Sequence, residues 1–172
     1  MDDTERLFRT YHAPLVRYLT RRLGDPDWAE EVAQETFLRV LRQADGARSI
    51  TKERAWIFAV ATNLVRDDAR KDARRRKHLT LLAEEAKELQ APPADDAMER
   101  AQERAAARRA LDELEERDRN ALLMREEGLD YKEIAEALGL SVGSVGTTLA
   151  RARKRLVEVY ESMQRRAQRQ GA

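Results

Sequence analysis

The 172-residue chain has no cysteine, two histidines, four prolines and seven glycines, and aromatic residues make up only 5% of it. Without cysteine there is no disulfide framework, no thiolate metal site and no thiol nucleophile. His12 and His78 lie far apart without companion ligands, so the favoured reading of both is exposed surface histidine rather than metal or catalytic service. No apolar run approaches the roughly 18 residues of a membrane span, and the opening Met-Asp-Asp-Thr-Glu has no apolar signal core. These absences predict a cytoplasmic protein with no membrane insertion.

What is present is helix-forming. Ala, Leu, Glu and Arg dominate, and a 42% hydrophobic content allows a core, while 38% charged residues predict strongly solvated helix faces. The expected class is all-α. The net charge of +1 hides an uneven distribution: residues 1–80 carry 17 Lys/Arg against 13 Asp/Glu, residues 81–120 carry 7 against 12, and residues 121–172 carry 9 against 7. Two basic ends flank an acidic middle, so the whole-chain value is a poor guide to nucleic-acid binding.

Leu7, Phe8, Tyr11, Leu15, Tyr18 and Leu19 recur at helical spacing and predict a helix over residues 4–23, ended by Gly24-Asp-Pro26. A second helix is expected from Asp27, as N-cap with Glu30 three residues on, burying Val32, Ala33, Phe37, Val40 and Leu41. Residues 43–53 break the periodicity and read as a loop. Residues 54–77 predict a helix with Trp56, Ile57, Val60, Ala61, Leu64 and Val65 on one face and a basic end from Arg66 to Lys77. Core packing is the favoured role for Trp56. Ala91-Pro-Pro-Ala-Asp-Asp96 interrupts any helix, because proline donates no amide and its ring clashes with the preceding turn. Residues 81–97 are therefore the expected flexible linker between two small helical domains, 1–80 and 98–172, with helices over 98–114, 118–126, 130–138 and 142–166 and a frayed tail.

The most specific pattern is Asp130-Tyr-Lys-Glu-Ile-Ala-Glu-Ala-Leu-Gly-Leu-Ser-Val-Gly-Ser-Val-Gly-Thr-Thr-Leu149 followed by Arg151-Ala-Arg-Lys-Arg155. Asp130 with Glu133 forms a capping box, Gly139 supplies a positive φ at the turn, Leu140 plugs it, and Ser141 caps the next helix. Ile134, Leu138, Val145 and Leu149 face inward, and Ala135 permits close helix approach. This is a helix-turn-helix, which places its second helix in the DNA major groove. Ser141, Ser144, Thr147 and Thr148 are small and polar at a helix N-terminus, where phosphate is favoured. Arg151, Arg153 and Lys154 supply further phosphate contacts. A charge run alone is usually a solvated face; its position after a helix-turn-helix raises the DNA reading.

Three stretches carry a family resemblance: Asp27-Trp-Ala-Glu-Glu31-Val-Ala-Gln34-Glu35-Thr-Phe37, Trp56-Ile-Phe-Ala-Val-Ala-Thr-Asn63-Leu-Val-Arg-Asp67-Asp-Ala-Arg70, and Leu111-Asp-Glu-Leu-Glu-Glu-Arg117 with the helix-turn-helix after it. In order and spacing the chain resembles bacterial sigma factors of the extracytoplasmic-function (ECF) type over residues 7–160. The resemblance implies a non-catalytic subunit of RNA polymerase that directs promoter-specific initiation. Region two would bind the β′ clamp helices through Glu30, Glu31, Gln34 and Glu35, with Phe37 in the core. It would open the minus-ten element with Asp45, Arg48, Ser49, Thr51, Arg54, Asn63, Arg66, Arg70, Lys71 and Arg74. Region four would read the minus-thirty-five element through the helix beginning at Val142. Core polymerase (β′ and β), promoter DNA and an anti-sigma factor are the implied partners, with no cofactor, metal or catalytic residue. The chain departs from the family in carrying Gly146 and Thr148 where many members have Lys or Arg, and in lacking an aromatic in the loop after Gln43.

Two other readings compete. A repressor or activator that binds duplex DNA without polymerase leaves the Glu30–Glu35 face idle. A helical adaptor rests only on high charge and amphipathic stripes. An enzyme has least support, since no nucleophile–base set, phosphate loop or metal cluster is present.

Overall fold

The computed structural model describes residues 2–43, 52–71 and 95–172, with side chains omitted for 69–71. Residues 44–51 of the predicted 43–53 loop, the part of the predicted helix beyond Lys71 and the 81–94 stretch of the linker lie outside the described residues; the loop's end residues Gln43 and Glu53 belong to helices. Within them the fold is all-α: α1 Asp3–Leu23, α2 Pro26–Gln43, α3 Glu53–Lys71, α4 Asp95–Asp112, α5 Glu116–Glu126, α6 Tyr131–Leu138 and α7 Val142–Gln170.

The first three helices pack as the spacing predicted. Leu15, Tyr18, Leu19, Val40, Ile57, Phe58 and Ala61 have no exposed surface, and Phe37 keeps 6%. Trp56 and Val60 are half-buried against this core, while Phe58 is the aromatic that enters it fully. Burying the Tyr18 hydroxyl is tolerable because it meets Thr62 Oγ1 at 2.8 Å; desolvation still pushes the phenol up to about 12.

Four local expectations need correction. Asp25, not Asp27, caps α2: its Oδ1 accepts from the amides of Asp27 and Trp28 at 3.0 and 3.2 Å. Pro26 then opens the helix, where its missing amide costs nothing. His12 is not a free surface residue; its ring stacks on Phe8 with centroids 4.4 Å apart, and Nε2 lies 2.7 Å from Glu30. The second half becomes helical at Asp95, inside the expected linker, with Asp95 and Asp96 favourably placed in the first turn. The tail does not fray early: α7 runs to Gln170, where the Gly171 amide donates to Ala167 O.

The two halves lie against each other. A single apolar cluster runs from Leu7 through Tyr18, Phe58 and Val65 to Met124, Leu129, Ile134, Val145 and Leu149. Around it, basic residues of the first half meet carboxylates of the second. Arg54 clamps Glu133 with two bonds of 2.7 and 2.6 Å, Arg66 meets Glu116 at 3.1 Å, and Lys52 meets Glu136 at 3.4 Å. Arg17 and Arg21 close on Glu127, whose side chain is 5% exposed. At the end of α1, Arg108 donates to the carbonyls of Thr20, Arg21 and Arg22 at 3.2, 2.7 and 3.0 Å, supplying cationic hydrogen bonds where a helix C-terminus lacks donors.

Candidate nucleic-acid and partner interfaces

The helix-turn-helix is built by local chemistry. The Glu133 amide donates to Asp130 Oδ1 at 2.8 Å, and the Asp130 amide donates to Glu133 Oε1 at 3.1 Å, so the predicted box is closed in both directions. Gly139 takes φ +67 and ψ +36 and its amide donates to Ala135 O, a left-handed cap that turns the chain into α7. Ile134, Val145 and Leu149 are fully buried and Ala135 keeps 4%. Ser141 stands at the N-cap of α7, but its hydroxyl makes no capping bond; instead Ser144 Oγ donates to Ser141 O at 2.8 Å.

This packing selects which side of α7 faces outward. Val145, Thr148, Leu149 and Ala152 form its buried stripe. Thr148 is therefore removed from the candidate DNA contacts: it is 4% exposed and its hydroxyl is spent on Ser144 O at 2.9 Å. Its position was legible, because 145, 148, 149 and 152 follow the i, i+3, i+4, i+7 stripe. Ser141, Thr147, Arg151, Arg153 and Lys154 are exposed and Ser144 is half-buried. Val142, Gly143 and Ala150 share the exposed surface, and sequence reasoning did not single them out. A side chain at Gly143 would meet nothing within 4 Å, whereas one at Gly146 would lie 3.6 Å from Tyr131.

Arg151 is held in place. Its Nε and Nη2 donate to the two carboxylate oxygens of Asp118 at 2.9 and 2.7 Å, and this pairing raises the guanidinium pKa above its ordinary value. Asp118 is 4% exposed, in the first turn of α5. No sequence signal links positions 33 residues apart, so this partner escaped notice.

On the first half, Glu31 and Gln34 are exposed on α2, and Glu30 and Glu35 half-exposed. Glu35 accepts from Arg39 at 3.1 Å and Glu30 is held by His12. These pairs are solvent-accessible and weak, so they leave the face available. Of the expected minus-ten set, Asn63 is exposed on α3, while Arg54 and Arg66 are both engaged by carboxylates of the second half. Arg70 and Lys71 belong to α3 by backbone alone. Asp45, Arg48, Ser49, Thr51 and Arg74 lie outside the described residues. Among the described residues no His/Cys/Asp/Glu group could hold a metal ion, and no helix is long and apolar enough to cross a membrane.

Comparison with known proteins joins these surfaces. The Sigma-70 region 2 family matches residues 7–75 and the Sigma-70, region 4 family matches residues 104–156. The RNA polymerase sigma factor YlaC of Bacillus subtilis is 30% identical over 156 residues, 90% of each chain. The chain belongs to the ECF-type sigma factors. The ferric citrate uptake sigma factor FecI of Escherichia coli is 32% identical, covering 86% of this sigma factor and 85% of its own length. The ECF RNA polymerase sigma factor EcfG of Rhodopseudomonas palustris is 35% identical over 77% of this chain and 71% of its own. Among solved structures, the sigma factor RpoE of Bartonella quintana, in complex with the anti-sigma factor NepR, shares the fold. Its TM-score is 0.67, at 20% identity over 94% of this sigma factor and 98% of that chain. CnrH in complex with the cytosolic domain of CnrY gives 0.62 at 23% identity, over 92% and 88% of the two chains.

Proposed function

We infer that this sigma factor acts as a non-catalytic specificity subunit that brings core RNA polymerase to its promoters, with the division of labour set by its two halves. Residues 1–80 bind the β′ clamp helices and the minus-ten element, the stretch ending before Asp95 links, and the half that opens with α4 reads the minus-thirty-five element. The observation that carries this reading is the joint presence, on one chain, of an outward recognition-helix surface and a polar α2 face that DNA binding alone leaves unused.

Glu30, Glu31, Gln34 and Glu35 are the proposed polymerase contacts. On α7, Ser141, Ser144 and Thr147 approach DNA at the helix N-terminus, where the dipole favours phosphate. Val142 and Ala150 offer apolar contact to a thymine methyl. Arg151, aimed by Asp118, retains Nη1 for phosphate, with Arg153 and Lys154 alongside. Arg54, Asn63 and Arg66 on α3 are the proposed contacts to the minus-ten strand, together with Asp45, Arg48, Ser49, Thr51, Arg70, Lys71 and Arg74. Such contacts make affinity steeply salt-dependent. The fold shared with RpoE bound to NepR and CnrH bound to CnrY supports an anti-sigma partner.

The division of labour is tested by binding full-length chain to sigma-free core polymerase and, separately, to promoter duplex. Gln34→Ala with Glu35→Ala weakens core binding about tenfold or more, as expected for polar interface residues, and leaves duplex binding unchanged. Unchanged core binding, or equal loss of both, overturns it.

A further inference from the structure

The ion pairs that tie the halves together are of one sign on each side. The first half contributes Arg17, Arg21, Lys52, Arg54 and Arg66; the second answers with Glu127, Glu136, Glu133 and Glu116. Arg54 and Arg66 are also proposed contacts to the minus-ten strand. A guanidinium bidentate to a carboxylate presents the same donor edge that a phosphate would take. Glu133 is especially well fixed, since the capping box that builds the helix-turn-helix also holds the carboxylate against Arg54. The exposed surface of α7 takes no part in this contact.

We propose that region four is a built-in competitor for the minus-ten strand: in the closed chain Glu116 and Glu133 occupy Arg66 and Arg54 in place of nucleic-acid phosphate. The proposal rests on the assignment of those arginines to the DNA strand. Closure silences region two while leaving the recognition surface of region four open. The competitor is tethered to its target, so it acts at high effective concentration without any second protein.

Other groups in the same contact favour release. Arg22 and Arg119 lie near each other and near Glu116; Arg22 Nε donates to Asn120 Oδ1 at 3.1 Å, yet burial together with the Arg119 charge pushes the Arg22 guanidinium down to about 10. Arg119 Nε and Asn120 Nδ2 are buried and meet no acceptor among the described residues. Parting the halves hydrates all of these groups, which offsets part of the apolar surface exposed. A partner that takes one half away therefore opens a contact in which matched ion pairs stand beside frustrated groups.

The test uses full-length Glu116→Gln/Glu133→Gln. Glutamine keeps the shape and the capping box but removes the charge. Binding to a labelled mixed-sequence 15-nucleotide single strand is measured beside a random duplex, and opening is read by energy transfer between dyes on Arg9→Cys and Gln168→Cys, the chain having no other cysteine. Expected are a fall in energy transfer and a gain of roughly tenfold for the single strand, the order of two partly exposed pairs, with duplex affinity little changed. Glu158→Gln/Glu161→Gln removes the same charge from exposed positions outside this contact and gives no such gain. An equal gain from that control overturns the proposal. So does unchanged energy transfer, which leaves the arginine assignment standing. Opening without tighter single-strand binding overturns the proposal through that assignment instead, and adding Arg54→Gln/Arg66→Gln to the opened chain then has no effect on strand binding.

Discussion

Gly24 gives the sharpest probe of how the two halves meet. It ends α1 at φ +74, and a Cβ built there would lie 2.8 Å from Arg108 Nη1 on α4. In Gly24→Ala the left-handed backbone alone costs about 1–2 kcal/mol. The methyl also displaces the guanidinium from the carbonyls of Thr20, Arg21 and Arg22. Removing that side chain outright, as Arg108→Ala, loses three charge-assisted bonds but releases roughly 2 kcal/mol of side-chain entropy, for a net cost of about 2 kcal/mol. Gly24→Ala in the native background should therefore cost about 2–3 kcal/mol, but only the 1–2 kcal/mol of backbone strain once Arg108 is gone. Urea denaturation followed by circular dichroism on the four chains of this cycle yields a coupling of about 1 kcal/mol, with the double variant less damaged than the sum. Strict additivity would refute the placement of Arg108 over Gly24, and with it the packing of α4 on the end of α1.

Two further outcomes follow from side-chain environments. Tyr18 is pushed up to about 12 from 10.0, so its contribution to stability is intact below pH 10 and is lost as pH rises to about 12; in a spectrophotometric titration Tyr18→Phe should remove one late-ionising tyrosine and leave the earlier ones. Thr148→Val should leave binding to a minus-thirty-five duplex unchanged because the residue is buried, whereas Lys154→Gln should weaken it and reduce the salt slope by about 1; a matching loss in Thr148→Val refutes the orientation of α7.

Much of this fold was legible because its determinants are local. Asp130 and Glu133 are three residues apart, Gly139 follows the helix it ends, and Val145 and Leu149 repeat at one turn. The misreadings have local causes as well. Asp27 looked like a cap because Glu30 follows it, but Asp25 precedes a proline and reaches two amides. Thr148 looked like a DNA contact because hydroxyls suit phosphate, although its phase places it inward. What sequence could not supply is long-range pairing. Arg54 with Glu133, Arg151 with Asp118 and Arg17 with Glu127 are separated by 79, 33 and 110 residues. No periodicity encodes such pairs, so the candidate DNA-contacting arginines were visible while the carboxylates that hold them were not.

Run-off transcription with purified chain and sigma-free core polymerase on a genomic promoter library tests the central claim most directly. The account predicts discrete, chain-dependent transcripts whose start sites share sequence blocks near minus ten and minus thirty-five. The absence of any chain-dependent transcript, together with no binding to core polymerase, would contradict it.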